Sequence, residues 1–351
     1  MDISQKLQKM IIDAVRMKAS DIHLLPDASG VLVRCRIDGV LHRAERLTEQ
    51  KGSRLISHLK FISGMDISER RRPQNKRLEI TSGGTTIYVR VSTFPGAYLE
   101  TVVLRLFPYS PSRALRELFL FPGQAAPLQK LIHSPHGLVL LCGPTGAGKT
   151  TTIYSMLHER ARHREENIMT LEDPVECRED GLLQMEINEK AGVTYAAGLR
   201  SLLRHDPDLI MIGEIRDEET AAIAVRAAMS GHLVLSSLHS ATAAGAVRRM
   251  MDLGIDKDDL REVLRGSCAQ RLIEVQCMRC GGRCGRYCTG HTESRRKAVC
   301  EILMDERLEQ VFSEPVIQEW PGSISGQVRR GIALGYIPGS VWELTGKGAW
   351  Q

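Results

Sequence analysis

Apolar positions alternate between helical and strand spacing through the first hundred residues. Over 2–18, Ile3, Leu7, Met10, Ile11, Ala14 and Val15 recur every three or four residues, which predicts a helix with one packed face. Strand patterns follow at 21–25, closed by Pro26, and at 31–37, where Asp38-Gly39 turns the chain into 40–41. Thr48 is placed to cap a second helix carrying Leu55, Ile56, Leu59 and Phe61. Strands at 78–81, 86–92 and 101–107, the first two joined through Gly83-Gly84, complete a small α+β domain over 1–107. The prolines within 108–113 open a linker that runs to 124.

Beyond the linker the pattern settles into a βα rhythm, the mark of a parallel sheet. Short, mostly apolar stretches at 137–141, 167–171, 209–213 and 233–238 are strand candidates, and 182–187 predicts an antiparallel or edge piece. Helices are expected at 150–162, 196–204, 218–230, 241–253 and 257–264. This α/β domain spans 125–300, and a helical C-terminal region covers 301–351, clearest at 322–334 and loosest at Gly346-Lys347-Gly348.

With 351 residues, 42% hydrophobic and 25% charged, the composition is that of a soluble globular chain. No apolar run approaches the roughly 20 residues that span a bilayer, and Met1 to Lys6 has no signal-peptide shape, so a cytosolic place of work is expected. The net charge of +5 is dispersed, with local clusters such as Arg70-Arg71-Arg72, and does not call for nucleic acid or membrane. Four of nine cysteines fall within 277–288, which favours a metal knuckle over a disulfide framework. Cys277, Cys280, Cys284 and Cys288 supply four soft ligands for a structural Zn²⁺. The short loop between the pairs makes tetrahedral geometry tight, and reduced, non-ligating cysteines are the alternative.

The chemistry centres on Gly143-Pro144-Thr145-Gly146-Ala147-Gly148-Lys149-Thr150, followed by Thr151. The motif stands between an apolar strand and a helix start, the context that a phosphate loop requires. Backbone N–H groups surround a phosphate, Lys149 reaches the β/γ-phosphates, and the Thr150 hydroxyl holds Mg²⁺. A bare glycine turn would need neither the lysine nor the hydroxyl.

Strand 209–213 delivers Glu214 to the phosphate side of the sheet, where it can orient the attacking water or act through Mg²⁺-bound waters. Glu172 follows another buried strand and is read either as a catalytic or Mg²⁺-water ligand or as turn chemistry. His239, after strand 233–238, can bond a γ-phosphate, whereas His232 at that strand's start would more naturally brace the fold. Arg77, Arg90 and Arg105 lie on strands of the first domain and offer charge for phosphoryl transfer.

Taken in order, Ala19 to His23, Arg70 to Asn75, Leu171 to Glu176, Leu202 to Asp208, Gly213 to Asp217, Gly231 to Leu235 and Gln270 to Leu272 resemble the secretion traffic ATPases of type II secretion and type IV pilus assembly. The resemblance covers almost the whole chain and is nearer to the short competence assembly ATPases of Gram-positive bacteria. It implies a RecA-like P-loop NTPase domain, a PAS-like N-terminal domain that closes over ATP, and a homo-hexameric ring. By the same resemblance Glu172 and Glu214 match the acidic active-site positions, and His232 and His239 the His-box positions. Arg90 and Arg105 match arginines that approach phosphate, and Arg200, Arg204 and Arg216 a further arginine set. ATP and Mg²⁺ are the implied cofactors, with Zn²⁺ open.

The implied work is to drive an inner-membrane platform protein that assembles a filament for DNA uptake, from the cytoplasmic face of the membrane, with no direct nucleic-acid binding. Longer relatives carry an additional N-terminal docking domain and two widely separated C-x-x-C pairs, neither of which matches this chain. Lys76 stands where many relatives have glycine, so Arg77 receives no role. A nucleic-acid translocase, a type II secretion ATPase and a nucleotide-dependent scaffold with little turnover are the competing readings.

Overall fold

The computed structural model describes residues 2–37, 39–82, 85–108, 113–277, 280, 295–313 and 320–345. Its contacts divide the chain into two units, Met1–Pro111 and Ser112–Gln351.

In the first unit, α1 (Ile3–Arg16) starts at Asp2, whose carboxylate accepts from the Ile3 amide, and buries Leu7, Met10, Ile11 and Ala14. Strands β1 (Ala19–Asp27), β2 (Gly30–Ile37) and β3 (Val40–Leu47) follow, then α2 (Glu49–Ile62), and then β4 (Gln74–Ser82), β5 (Thr85–Phe94) and β6 (Thr101–Pro108). They form one antiparallel sheet in the order β3-β2-β1-β6-β5-β4. Thr48 Oγ1 accepts from the Lys51 amide at 3.4 Å, the expected cap of α2.

Phe61 is not on the packed face of α2: it is 68% exposed, because two residues from the buried Leu59 is about 200° around a helix. Side chains alternate along the sheet. Ile87, Val89, Val91, Val102 and Leu104 join the core with α1 and α2, so Arg90 and Arg105 point to the other face. A buried ion pair, Lys60 Nζ to Glu100 at 2.8 and 3.0 Å, also holds the Glu69 carbonyl at 2.6 Å and ties down the segment after α2.

The second unit begins with α3 (Leu115–Leu118), within the stretch expected as linker; Leu115 and Phe119 are buried, and Phe119 bridges to Ala298. The order then runs α4 (Ala125–Ile132), β7 (Gly137–Cys142), α5 (Lys149–Ala161), β8 (Ile168–Glu172), β9 (Leu183–Glu186), α6 (Tyr195–Leu202), β10 (Leu209–Ile212), α7 (Glu218–Met229), β11 (Leu233–Leu238), α8 (Ala243–Asp252), α9 (Lys257–Val263), β12 (Leu264–Glu274), β13 (Arg296–Met304), α10 (Asp305–Ser313), α11 (Ile324–Ala333) and α12 (Ser340–Thr345).

Seven strands are ordered β13-β12-β7-β11-β10-β8-β9, all parallel except β13. β7 and β10 are apolar on both faces, and β11 is fully buried though it carries Ser236 and Ser237, because both faces are covered. Leu138, Leu140, Ile210 and Val234 pack toward α6–α9, while Val139, Leu141, Met211 and Leu235 pack toward α4 and α5. This is the RecA-like mixed α/β core expected from the sequence.

Two differences concern strands. The edge piece β9 pairs parallel to β8. Strands β12 and β13 were invisible to the apolar pattern, because their buried positions include Ser267, Gln270 and Glu301; the tail expected as helical from 301 therefore begins as strand.

Candidate nucleotide site

Strand β7 stands where the strand order reverses, with β11, β10 and β8 on one side and β12 on the other. Such a switch point leaves a crevice at the carboxyl edge of the sheet, and the loop after β7 fills it. Gly143 sits at φ +149°, and a Cβ there would lie 2.5 Å from the Gln270 carbonyl oxygen; Gly148, at φ +85°, leads into α5. Only glycine meets both demands, of backbone conformation and of space. Helix α5 starts with no side-chain cap, so its first amides are open to an anion.

Lys149 Nζ folds onto the loop, 2.7 Å from the Gly143 carbonyl and 3.4 Å from that of Pro144. Burial holds this ammonium below the ordinary lysine range, opposed by the Glu214 carboxylate. Thr150 is the second residue of α5. Loop, lysine and hydroxyl thus fit a nucleoside triphosphate with its Mg²⁺.

One side chain that the sequence reading left without a role shapes the loop. Gln270, buried on β12, donates from Nε2 to the Ala147 carbonyl at 2.8 Å and accepts from Thr152 Oγ1 at 2.8 Å. A single amide therefore joins loop, helix and strand. Its neighbour Arg271 donates to the carbonyls of Gln270 and Ala241 at 3.0 and 2.8 Å. The triplet Gln270-Arg271-Leu272 was visible as a matching stretch, yet spacing alone did not place it at the loop.

Glu214 follows β10 at the carboxyl edge. His239 Nε2, at the end of β11, is 3.3 Å from its Oε2, and Arg216 pairs with its other oxygen. Arg216 also lies 4.0 Å from Asp173, beyond the end of β8. The ends of three adjacent strands thus bring two carboxylates, one imidazole and one guanidinium to the loop side of the sheet.

Glu172 differs from Glu214. It is 3% exposed, and both its oxygens accept from the Tyr154 hydroxyl at 2.8 and 2.7 Å. Thr170 Oγ1 donates at 2.6 Å and Gln184 Nε2 at 3.2 Å. Tyr154 is on α5 and Gln184 on edge strand β9, so this carboxylate knits the elements beside the loop. Burial, reinforced by Glu172, raises the Tyr154 phenol well above its usual range and keeps it a donor.

Other expected residues are not brought to the loop within the second unit. His232 precedes β11 at the opposite edge, its Nδ1 3.0 Å from the Ala227 carbonyl and 3.1 Å from Ser230 Oγ. Arg204 follows α6 next to His205, whose carbonyl accepts from Asn167 at the amino edge of β8. Arg200 pairs with Glu219.

In the first unit Arg77, Arg90 and Arg105 are register neighbours across β4, β5 and β6, and Arg105 is paired with the buried Asp21 of β1 at 2.9 Å. Cys277 is buried, whereas Cys284 and Cys288 lie outside the described residues.

Comparison with known proteins agrees with this geometry. A family profile described as "Type II/IV secretion system protein" matches residues 2–328. The chain is 43% identical over 347 residues to the competence protein ComGA of Bacillus subtilis, covering 96% of each. Among solved structures it is similar to the pilus retraction motor PilT with bound ADP, at TM-score 0.66 and 26% identity over 96% of this chain and 92% of that one. The Legionella pneumophila ATPase DotB shares the fold at TM-score 0.76 and 22% identity, over 96% and 94%.

Proposed function

Because the chain belongs to the type II/IV secretion system protein family, we propose that it hydrolyses ATP to drive assembly of a competence pseudopilus or similar filament. The observation that carries the filament reading is the end-to-end likeness to a competence protein. What supports hydrolysis, rather than binding alone, is Glu214 beside the phosphate loop with His239 at 3.3 Å.

In this reading the loop amides and Lys149 bind the phosphates, and Mg²⁺, held through Thr150, supplies charge neutralisation when bound. Glu214 orients the attacking water, and His239 fixes the carboxylate and senses the γ-phosphate. Glu172 acts by holding α5 and β9 around the loop. Arg216 beside Glu214, and Arg90 and Arg105 of the first unit, supply positive charge during turnover, and His232 braces the sheet.

The working form is a homo-hexamer on the cytoplasmic face of the membrane, coupled to an inner-membrane platform protein. Among the described residues no helix is long and apolar enough to cross a membrane, which accords with peripheral attachment. Zn²⁺ bound by Cys277, Cys280, Cys284 and Cys288 would staple a knuckle and take no part in turnover.

The test is ATPase activity of the assembled protein alone, with DNA, and with detergent-solubilised platform protein, with oligomeric state measured in the same samples. Stimulation by the platform protein alone is expected. Strong stimulation by DNA would replace this reading with a nucleic-acid translocase on the same core.

A further inference from the structure

Helix α5 carries the phosphate loop at one end and a second cluster of metal-binding side chains at the other. Glu159 lies ten residues beyond Lys149, about 15 Å along the axis at roughly 1.5 Å per residue. His163, two residues past the helix and one turn beyond Glu159, has Nε2 3.9 Å from Glu159 Oε1. His133, at the C-cap of α4, completes the group: its ring centroid is 5.6 Å from that of His163, and one ligand atom from each of His133, Glu159 and His163 lies within 4.8 Å of the others.

We propose that His133, Glu159 and His163 form a binding site for a divalent transition metal of the zinc class, clipping α4 to the far end of the helix that bears the phosphate loop.

The donor set is chemically apt. Two imidazoles and one carboxylate suit Zn²⁺, with Ni²⁺ and Cu²⁺ as competitors, and leave a fourth position for water. A tetrahedral ion with ligands at about 2.1 Å sets donor atoms roughly 3.4 Å apart, so closure needs a modest inward swing. His163, whose side chain is 61% exposed, is free to make it.

The rest of the site is already held. Gln129 Nε2 donates to Glu159 Oε1 at 3.1 Å, the outer partner that orients a ligating carboxylate. Arg160 clamps the backbone on both sides of His133, donating to the carbonyls of Ile132 at 2.6 Å and Ser134 at 2.8 Å. Arg160 and Arg164 both pair with Glu166, whose single carboxylate offsets one of their two positive charges beside the site.

Full-length, reduced, nucleotide-free protein in excess Mg²⁺ is titrated with Co²⁺ and followed by visible absorption, then with Zn²⁺ in competition. Nitrogen and oxygen ligation gives weak visible bands without a thiolate charge-transfer band, which separates this site from any ion on Cys277 to Cys288. Wild type should take up one equivalent that adds only the weak nitrogen–oxygen bands, beside any ion on the cysteines, and Zn²⁺ should raise its melting temperature. His163→Ala, at an exposed position, should keep the metal-free melting temperature and weaken binding roughly tenfold or more; Gln129→Ala should weaken it by about 10–100-fold. Identical titrations of wild type and His163→Ala would overturn the site. So would a spectrum that always carries the thiolate band and disappears only when Cys277 is replaced.

Discussion

The Tyr154 hydroxyl lies 2.8 and 2.7 Å from the two carboxylate oxygens of Glu172, joining the helix that begins at the phosphate loop to the strand that ends beside it. In Tyr154→Phe the buried acid keeps Thr170 and Gln184 but loses its phenol donor. Removing one partner of a buried charged group costs about 1–3 kcal/mol, and a drop of that size is expected in denaturant unfolding. Turnover should fall while ATP affinity changes little, because the phenol reaches Glu172 and Gln184 rather than the loop; a large rise in the ATP dissociation constant would contradict this division of labour.

Gln270→Ala removes the bond to the Ala147 carbonyl and the acceptor for Thr152. The fold should persist, since the change leaves the apolar faces of the sheet intact. Loss of a loop brace worth about 1–2 kcal/mol corresponds to a five- to thirtyfold weaker complex. Titration with a fluorescent ATP analogue, with circular dichroism as the control for folding, reads this directly.

Glu214 and Lys149 should separate chemistry from binding. Glu214→Gln is expected to retain ATP and to lower turnover by roughly 100-fold or more, the scale of losing a positioned acid–base group. Lys149→Ala should weaken ATP retention as well as chemistry. Near-normal turnover in the first variant, or unchanged ATP affinity in the second, would refute the corresponding role.

Glu301 gives the expected pH dependence. Burial pushes its carboxyl above the ordinary value of 4.5, against hydrogen bonds from the Ala243 and Ile324 amides and the field of Arg271. The folded state therefore holds this proton more tightly than the unfolded state. Its contribution to stability is full below the unfolded pKa and is lost as pH rises through the raised folded value. Glu301→Gln keeps an oxygen for the Ala243 amide and does not titrate. Unfolding free energies of the two proteins measured from pH 4.5 to 8 should diverge, with wild type falling behind as pH rises; a constant difference would exclude the linkage.

The parts of the site that sequence made legible are those whose chemistry is local. Gly143 to Thr150 needs a strand, a turn and a helix start, all contiguous; Glu214 follows a fully apolar strand and His239 a mostly apolar one. Gln270 and Tyr154 were missed because each acts across the fold: one lies on a strand with polar buried positions, the other on a helix face turned toward a carboxylate of the next strand. His232 shows the reverse limit. Nearness in sequence to His239 does not bring the two together, because the six residues of β11 carry them to opposite edges of the sheet.

The Gln270 amide also sets an order in time. The carbonyl it braces lies 123 residues earlier, so a chain growing at about 5–20 residues per second displays the complete loop on the order of 6–25 s before its brace is synthesised. During that interval the neighbouring strands β11, β10 and β12 are also unfinished. The loop's brace therefore arrives only with the last parallel strand of the sheet, so the loop takes its braced form late in synthesis.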